Sequence, residues 1–98
     1  MRLIQKIGVG VNTIDLDAAR ARGIAVCNMP GTNTIAVAEA ALLLMLAALR
    51  HLPAIGRATR QGQGWALGAG LQERVGELRG RTIGLVGAGM VPRALIPM

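Results

Sequence analysis

From Ile35 to Leu49 every residue except Glu39 is apolar, and no other feature narrows the choice of folds as much. The run is mostly Ala, Leu and Met, which favour helix. Asn33 or Thr34 can cap its start, and Arg50 and His51 stand where cations suit a helix end. A helix that is apolar around its whole circumference has no side to turn to water and must be covered everywhere. A chain of 98 residues makes one small domain, burying roughly 60 to 70 percent of its unfolded surface. Two or three further elements cannot enclose such a rod, so the helix is expected to sit inside something larger, built from more chain or from a partner. The run holds Glu39 and falls short of the ~18 apolar residues of a membrane span, so it reads as a buried helix.

Upstream, residues 2 to 8 look like a short strand ending at Gly8. Asp15 caps a helix through Arg22 that stops at Gly23, and Ile24 to Asn28 reads as a second strand running into the Met29-Pro30-Gly31 loop. Strand, helix and strand in so few residues predict a βαβ unit with parallel strands. Downstream, Pro53 suits the first turn of a further helix reaching about Gln61. Gly62, Gly64, Gly68, Gly70 and Gly76 mark a long loop in which Trp65 is expected to pack as an apolar plug. Glu77 to Gly80 reads as a turn into a third strand, Thr82 to Val86, followed by Gly87-Ala88-Gly89 and a helix-like tail. No internal repeat and no low-complexity tract is present.

The charge balance is +6, from eleven Lys and Arg against five Asp and Glu. The cations are scattered from Arg2 to Arg93 without a run, and Trp65 is the sole aromatic residue. A nucleic-acid surface, with its basic stripe and stacking platforms, is therefore not expected, nor is a membrane partner. A lone Cys27 permits no internal disulfide and has no metal-ligand neighbours in sequence, so a reduced, cytoplasmic protein without a metal site is implied. The N-terminus lacks the pattern of a signal peptide.

Two glycine turns could carry chemistry. Gly87-x-Gly89 after an apolar strand opens like the G-x-G-x-x-G turn, whose backbone amides and helix N-terminus approach a pyrophosphate. Pro92 stands where the third glycine would be. Overpacking there would cost about 1 to 3 kcal/mol, although a first helical turn tolerates proline. A plain strand-to-helix turn accounts for these residues equally well. Gly8-Val9-Gly10-Val11-Asn12 follows a parallel strand, where open α/β sheets place their ligands. Its amides could hold a carboxylate, and an ordinary tight turn would also explain the glycines. His51 has no orienting carboxylate in sequence and reads as a helix cap rather than a catalytic acid or base. No Ser, His and Asp trio and no close pair of carboxylates is present, so no catalytic machinery is visible.

In order along the chain stand Gly8-Val9-Gly10-Val11-Asn12-Thr13-Ile14-Asp15-Leu16, Arg22-Gly23-Ile24-Ala25-Val26, Asn28-Met29-Pro30-Gly31-Thr32-Asn33-Thr34, Val37-Ala38-Glu39, Trp65, Leu78-Arg79-Gly80-Arg81-Thr82-Ile83-Gly84 and Gly87-x-Gly89. This series resembles the D-isomer-specific 2-hydroxyacid dehydrogenases, including phosphoglycerate dehydrogenase and the glyoxylate and hydroxypyruvate reductases, over nearly the whole chain. The resemblance implies a two-domain enzyme passing a hydride between NAD or NADP and a 2-hydroxy or 2-keto acid. The implied fold class is α/β: an incomplete Rossmann-like or flavodoxin-like parallel βαβ unit, a long apolar inter-domain helix, and the first strand of a nucleotide-binding Rossmann domain. Residues 1–31 would close the substrate domain, 32–80 would form inter-domain helices and loop, and 81–98 would begin the NAD-binding domain.

By the same resemblance, the amides of Val9 and Gly10 would hold the substrate carboxylate, with Val9 also touching the nicotinamide end of the cofactor. Gly87, Gly89, Met90 and Val91 would form the pyrophosphate turn, with Pro92 as the departure. The family's catalytic Arg, Glu and His, and the acid that distinguishes NAD from NADP, would all fall later than residue 98, and His51 does not match the catalytic histidine. The expectation is a central fragment of such an enzyme, inactive by itself and forming a homo-oligomer through the helix 33–50. The alternative reading is a non-catalytic dimerisation or interaction module built on that helix, and a weaker third is a basic membrane-surface peptide.

Overall fold

The computed structural model describes residues 1–65, 70–71 and 73–98, so the loop glycine Gly68 lies outside it. The chain divides into two compact units, Met1–Thr34 and Ile35–Met98.

The first unit is a βαβ element. Strand β1 (Leu3–Gln5) and strand β2 (Ala25–Cys27) pair in parallel, with Leu3 beside Ala25, Ile4 beside Val26 and Gln5 beside Cys27. Helix α1 (Leu16–Ala21) makes the crossover. The Asp15 carboxylate accepts the Ala18 amide at 2.8 Å, as the N-cap reading requires. The helix closes on a Schellman pair: the Ile24 amide reaches the Ala19 carbonyl at 2.9 Å and the Gly23 amide the Arg20 carbonyl at 3.0 Å. That closure needs a left-handed residue, and Gly23 supplies it at φ 64°.

The second unit opens with the long apolar helix. Helix α2 (Thr34–Leu49) runs sixteen residues, ~24 Å at 1.5 Å per residue. Among the described residues no single helix is long and apolar enough to cross a membrane. The side-chain cap expected at Asn33 or Thr34 is not made among the described residues; the Thr34 amide instead closes a turn onto the Gly31 carbonyl at 3.3 Å. His51, at φ 50°, ends the helix in the left-handed region, and the chain bends by 67° into helix α3 (Leu52–Arg60), which carries Pro53 in its first turn. A second Schellman pair closes α3, with Gln63 bonded to Ala58 at 2.8 Å and Gly62, at φ 72°, bonded to Thr59 at 3.0 Å.

Two sequence expectations need correction in this unit. Residues 82–86 form no ladder, because a strand exists only where another backbone offers its N–H and C=O groups. Among the described residues the sheet pairs β1 with β2 alone. Apolar, β-branched composition identifies a segment suited to a sheet without supplying its neighbour. Trp65 is no plug either. It is 93% exposed, since the described residues before it, Gly62 and Gly64, carry no side chain to lay against the ring.

The core is thin throughout. Among the described residues the buried apolar ones are Ala19, Ala38 and Ala58, one on each of three helices, and no large side chain is fully buried. On α2 only Ala38 is buried, while Leu43 is 61% and Leu44 68% exposed. The apolar circumference read from the sequence is thus open to solvent over much of its length. An apolar groove of about 270 Å³ runs beside it, lined by Leu42 and Met45 of α2 and by Ile83, Leu85, Leu95 and Met98.

Candidate functional site

The turn after β1 is fixed from two sides. The Met29 amide donates to the Gly8 carbonyl at 2.9 Å, and the Asn28 side-chain amide donates to the Val9 carbonyl, also at 2.9 Å. Gly8 sits at φ 123°, a conformation that a side chain would strain. These bonds tie the turn to the end of β2 by its carbonyls and direct its remaining polarity elsewhere. Val9 is 43% exposed and Gly10 is exposed. Among the described residues, neither the Val9 amide nor the Gly10 amide has an acceptor. Two adjacent exposed N–H donors on a tethered turn can receive one anionic oxygen pair, such as a carboxylate.

Asn28 is the residue that sequence reasoning does not single out for the site. In sequence it stands only as the last residue of the second strand and the first of the Asn28–Thr34 motif, with no site role attached to it. Its partner is 19 residues away in sequence, and no local pattern reports such a pairing.

The second glycine turn, in the other unit, leads into helix α4 (Met90–Leu95), for which Gly89 is the N-cap. Gly87 takes φ 95°, so its glycine is required by the backbone. Gly89 is in the extended region, and nothing lies within 4 Å of where its Cβ would stand. Neither backbone strain nor packing in this chain therefore explains that glycine. Pro92 falls in the first turn of α4, where its missing N–H leaves no helix carbonyl unserved, and its own carbonyl accepts the Ile96 amide at 3.1 Å. It is half-buried, and the helix forms around it. Arg93 folds back on the turn, its Nε donating to the Ala88 carbonyl at 3.0 Å.

His51 takes the structural role its position suggests. Its Nε2 lies 3.2 Å from the Arg74 carbonyl oxygen, and its backbone amide donates to Ala48 at 3.1 Å. No carboxylate orients the ring among the described contacts.

A βαβ unit with a turn of this kind at the carboxyl end of its first strand, and a separate glycine turn entering a helix, mark the class of α/β proteins, whose open sheets place ligands at the carboxyl ends of their strands. Comparison with known proteins makes that class specific. The family model for D-isomer specific 2-hydroxyacid dehydrogenase, catalytic domain, matches residues 1–90. A D-3-phosphoglycerate dehydrogenase of Archaeoglobus fulgidus is 46% identical over 92 residues, covering 93% of this chain and 16% of that protein. A hydroxypyruvate reductase of Thermotoga maritima is 37% identical over 91 residues, 93% of this chain and 28% of its own length. Among solved structures, the holo form of Rhodotorula graminis D-mandelate dehydrogenase superposes with a TM-score of 0.86 at 28% identity, over 96% of this chain and 28% of that one. The chain belongs to the D-isomer-specific 2-hydroxyacid dehydrogenase family, and it spans between about a sixth and somewhat over a quarter of the length of these relatives.

Proposed function

We propose that these residues serve an oxidoreductase that moves a hydride between NAD or NADP and carbon 2 of a D-2-hydroxy or 2-keto acid, with the Val9 and Gly10 amides holding the acid's carboxylate. One observation carries this reading: the turn is tethered through the Gly8 and Val9 carbonyls, and the amides of its exposed residues Val9 and Gly10 have no acceptor among the described residues. Fixed donors cost little further ordering when an anion arrives, and this is what an orienting site requires.

The residues of the second turn fit a dinucleotide. An exposed glycine turn whose Gly89 has open space beside it accommodates the close approach of a pyrophosphate. The backbone of Gly87, Gly89, Met90 and Val91 would hold that group, and the cofactor when bound would supply or accept the hydride. The chain's own part is to bind and orient. Among the described residues nothing is placed as a general acid beside the Val9–Gly10 turn, and these 98 residues are proposed to be inactive on their own.

A segment exchange tests the reading. Replacing the matching segment of the Archaeoglobus fulgidus enzyme with residues 1–92 should preserve oxidation of its hydroxy acid. In that chimera Gly10→Pro, which removes one donor, should lower kcat/KM roughly tenfold to a hundredfold, as expected for a lost bond to a charged group. Gly10→Ala keeps the N–H and should do far less, since its Cβ meets only the Asn12 side-chain oxygen, at 3.1 Å. Equal activity in the Pro and Ala forms would remove the carboxylate role from this turn.

The exposed apolar surface of α2 supports a second reading, in which residues 33–50 associate with a second copy of the chain. The two readings are compatible, because a subunit contact and a substrate turn use different residues.

A further inference from the structure

The end of α2 is closed by a piece of chain remote in sequence. The Gly76 amide donates to the Leu49 carbonyl at 2.9 Å, filling one of the acceptors that every helix C-terminus leaves open. Two residues earlier, the Arg74 carbonyl lies 3.2 Å from His51 Nε2, across 23 positions of sequence. A carbonyl oxygen can only accept, so the ring nitrogen donates, and Nε2 carries a proton. Gly76 is pressed close, with a Cβ there meeting Leu49 Cδ2 at 3.0 Å. His51 is also the only non-glycine residue at positive φ among those described, a conformation in which histidine is more common than most side chains but which still carries strain.

We propose that Arg74–Gly76 forms a strap across the C-terminus of α2, with His51 as its latch. Two separate demands meet at this position. The backbone bend between α2 and α3 needs a left-handed residue, for which glycine or asparagine is the ordinary choice. The strap needs a donor at the reach of Nε2, which glycine lacks and which asparagine, one methylene shorter than glutamine, does not attain. Histidine meets both. The neutral Nε2–H tautomer and the imidazolium both keep the bond. The charged groups near the latch, Glu73, Arg74 and Arg81, therefore are not required to switch it.

The two demands can be separated by substitution. His51→Asn suits the bend but loses the reach, whereas His51→Gln restores a donor near the Nε2 position at some cost in the left-handed backbone. Trypsin reports on the strap directly, because cleavage after Arg74 requires the bonded Arg74 carbonyl to come free. In the full 98-residue chain, His51→Asn should be cut at Arg74 roughly fivefold faster than the unaltered protein, the factor for loss of one ordinary hydrogen bond. His51→Gln should be cut near the unaltered rate, and cutting at Arg57 and Arg60 in α3 should serve as the internal reference. Equal rates at Arg74 in all three proteins would overturn the latch, including the case in which all are cut at once because the strap never closes. Faster cutting in His51→Gln than in His51→Asn would leave His51 as a bend residue alone.

Discussion

At the scale of single residues, the first unit depends on a few bonds between positions far apart in sequence. The Asn28 side chain secures the Val9 carbonyl, and its removal leaves an exposed acceptor that water can satisfy. The cost in stability should therefore be modest, about 1 kcal/mol, and the effect on order local. Asn28→Ala is expected to speed amide exchange at Val9 and Gly10 several-fold while leaving α1 amides such as Ala19 unchanged, as read by NMR. Gly8 is a firmer requirement. At φ 123° any Cβ is strained, so Gly8→Ala should cost more than Asn28→Ala, on the order of 1 to 2 kcal/mol, measured by denaturant titration of the chimeric enzyme.

At the scale of elements, what the sequence disclosed depends on how local each signal is. Helix α1 was legible because Asp15 and Gly23 act within a few residues of the ends they fix. The same is true of α3, between Pro53 and Gly62. The parallel pairing of β1 and β2 followed from the length of the crossover. Residues 82–86 form no ladder for the opposite reason: composition marks a segment that can join a sheet, and among the described residues no strand lies beside it to complete one. Asn28 and the His51–Arg74 bond were not legible at all, since each joins residues about twenty positions apart. The glycine turns were visible as motifs. That the first is held by its Gly8 and Val9 carbonyls is a matter of tertiary bonds.

Helix α2 is where local and global demands disagree most. Its composition makes helix, yet Leu43 and Leu44 remain in water. Burying a leucine contributes about 1.5 to 3 kcal/mol, so the two together are a strong drive to find cover. Replacing both by Lys should leave the helical circular dichroism signal in place and abolish any self-association through this face. Loss of helix with association retained would assign the contact to another surface.

At the scale of the whole molecule, the family and the exposed surface bear on one another. Three buried alanines are little to set against the conformational entropy of ordering a chain of this length. Relatives that match nearly all of this chain are several times its length, and surface from further chain or from a partner is what α2 would need for cover and residues 82–86 for pairing. In this arrangement the elements are completed by surface from outside the 98 residues. Sedimentation of the purified chain across a concentration series, joined to a thermal melt, tests that claim most directly. Association that increases with concentration, or a monomer without a cooperative transition, is the expected result. A compact monomer at all concentrations, melting in one sharp step, would contradict it.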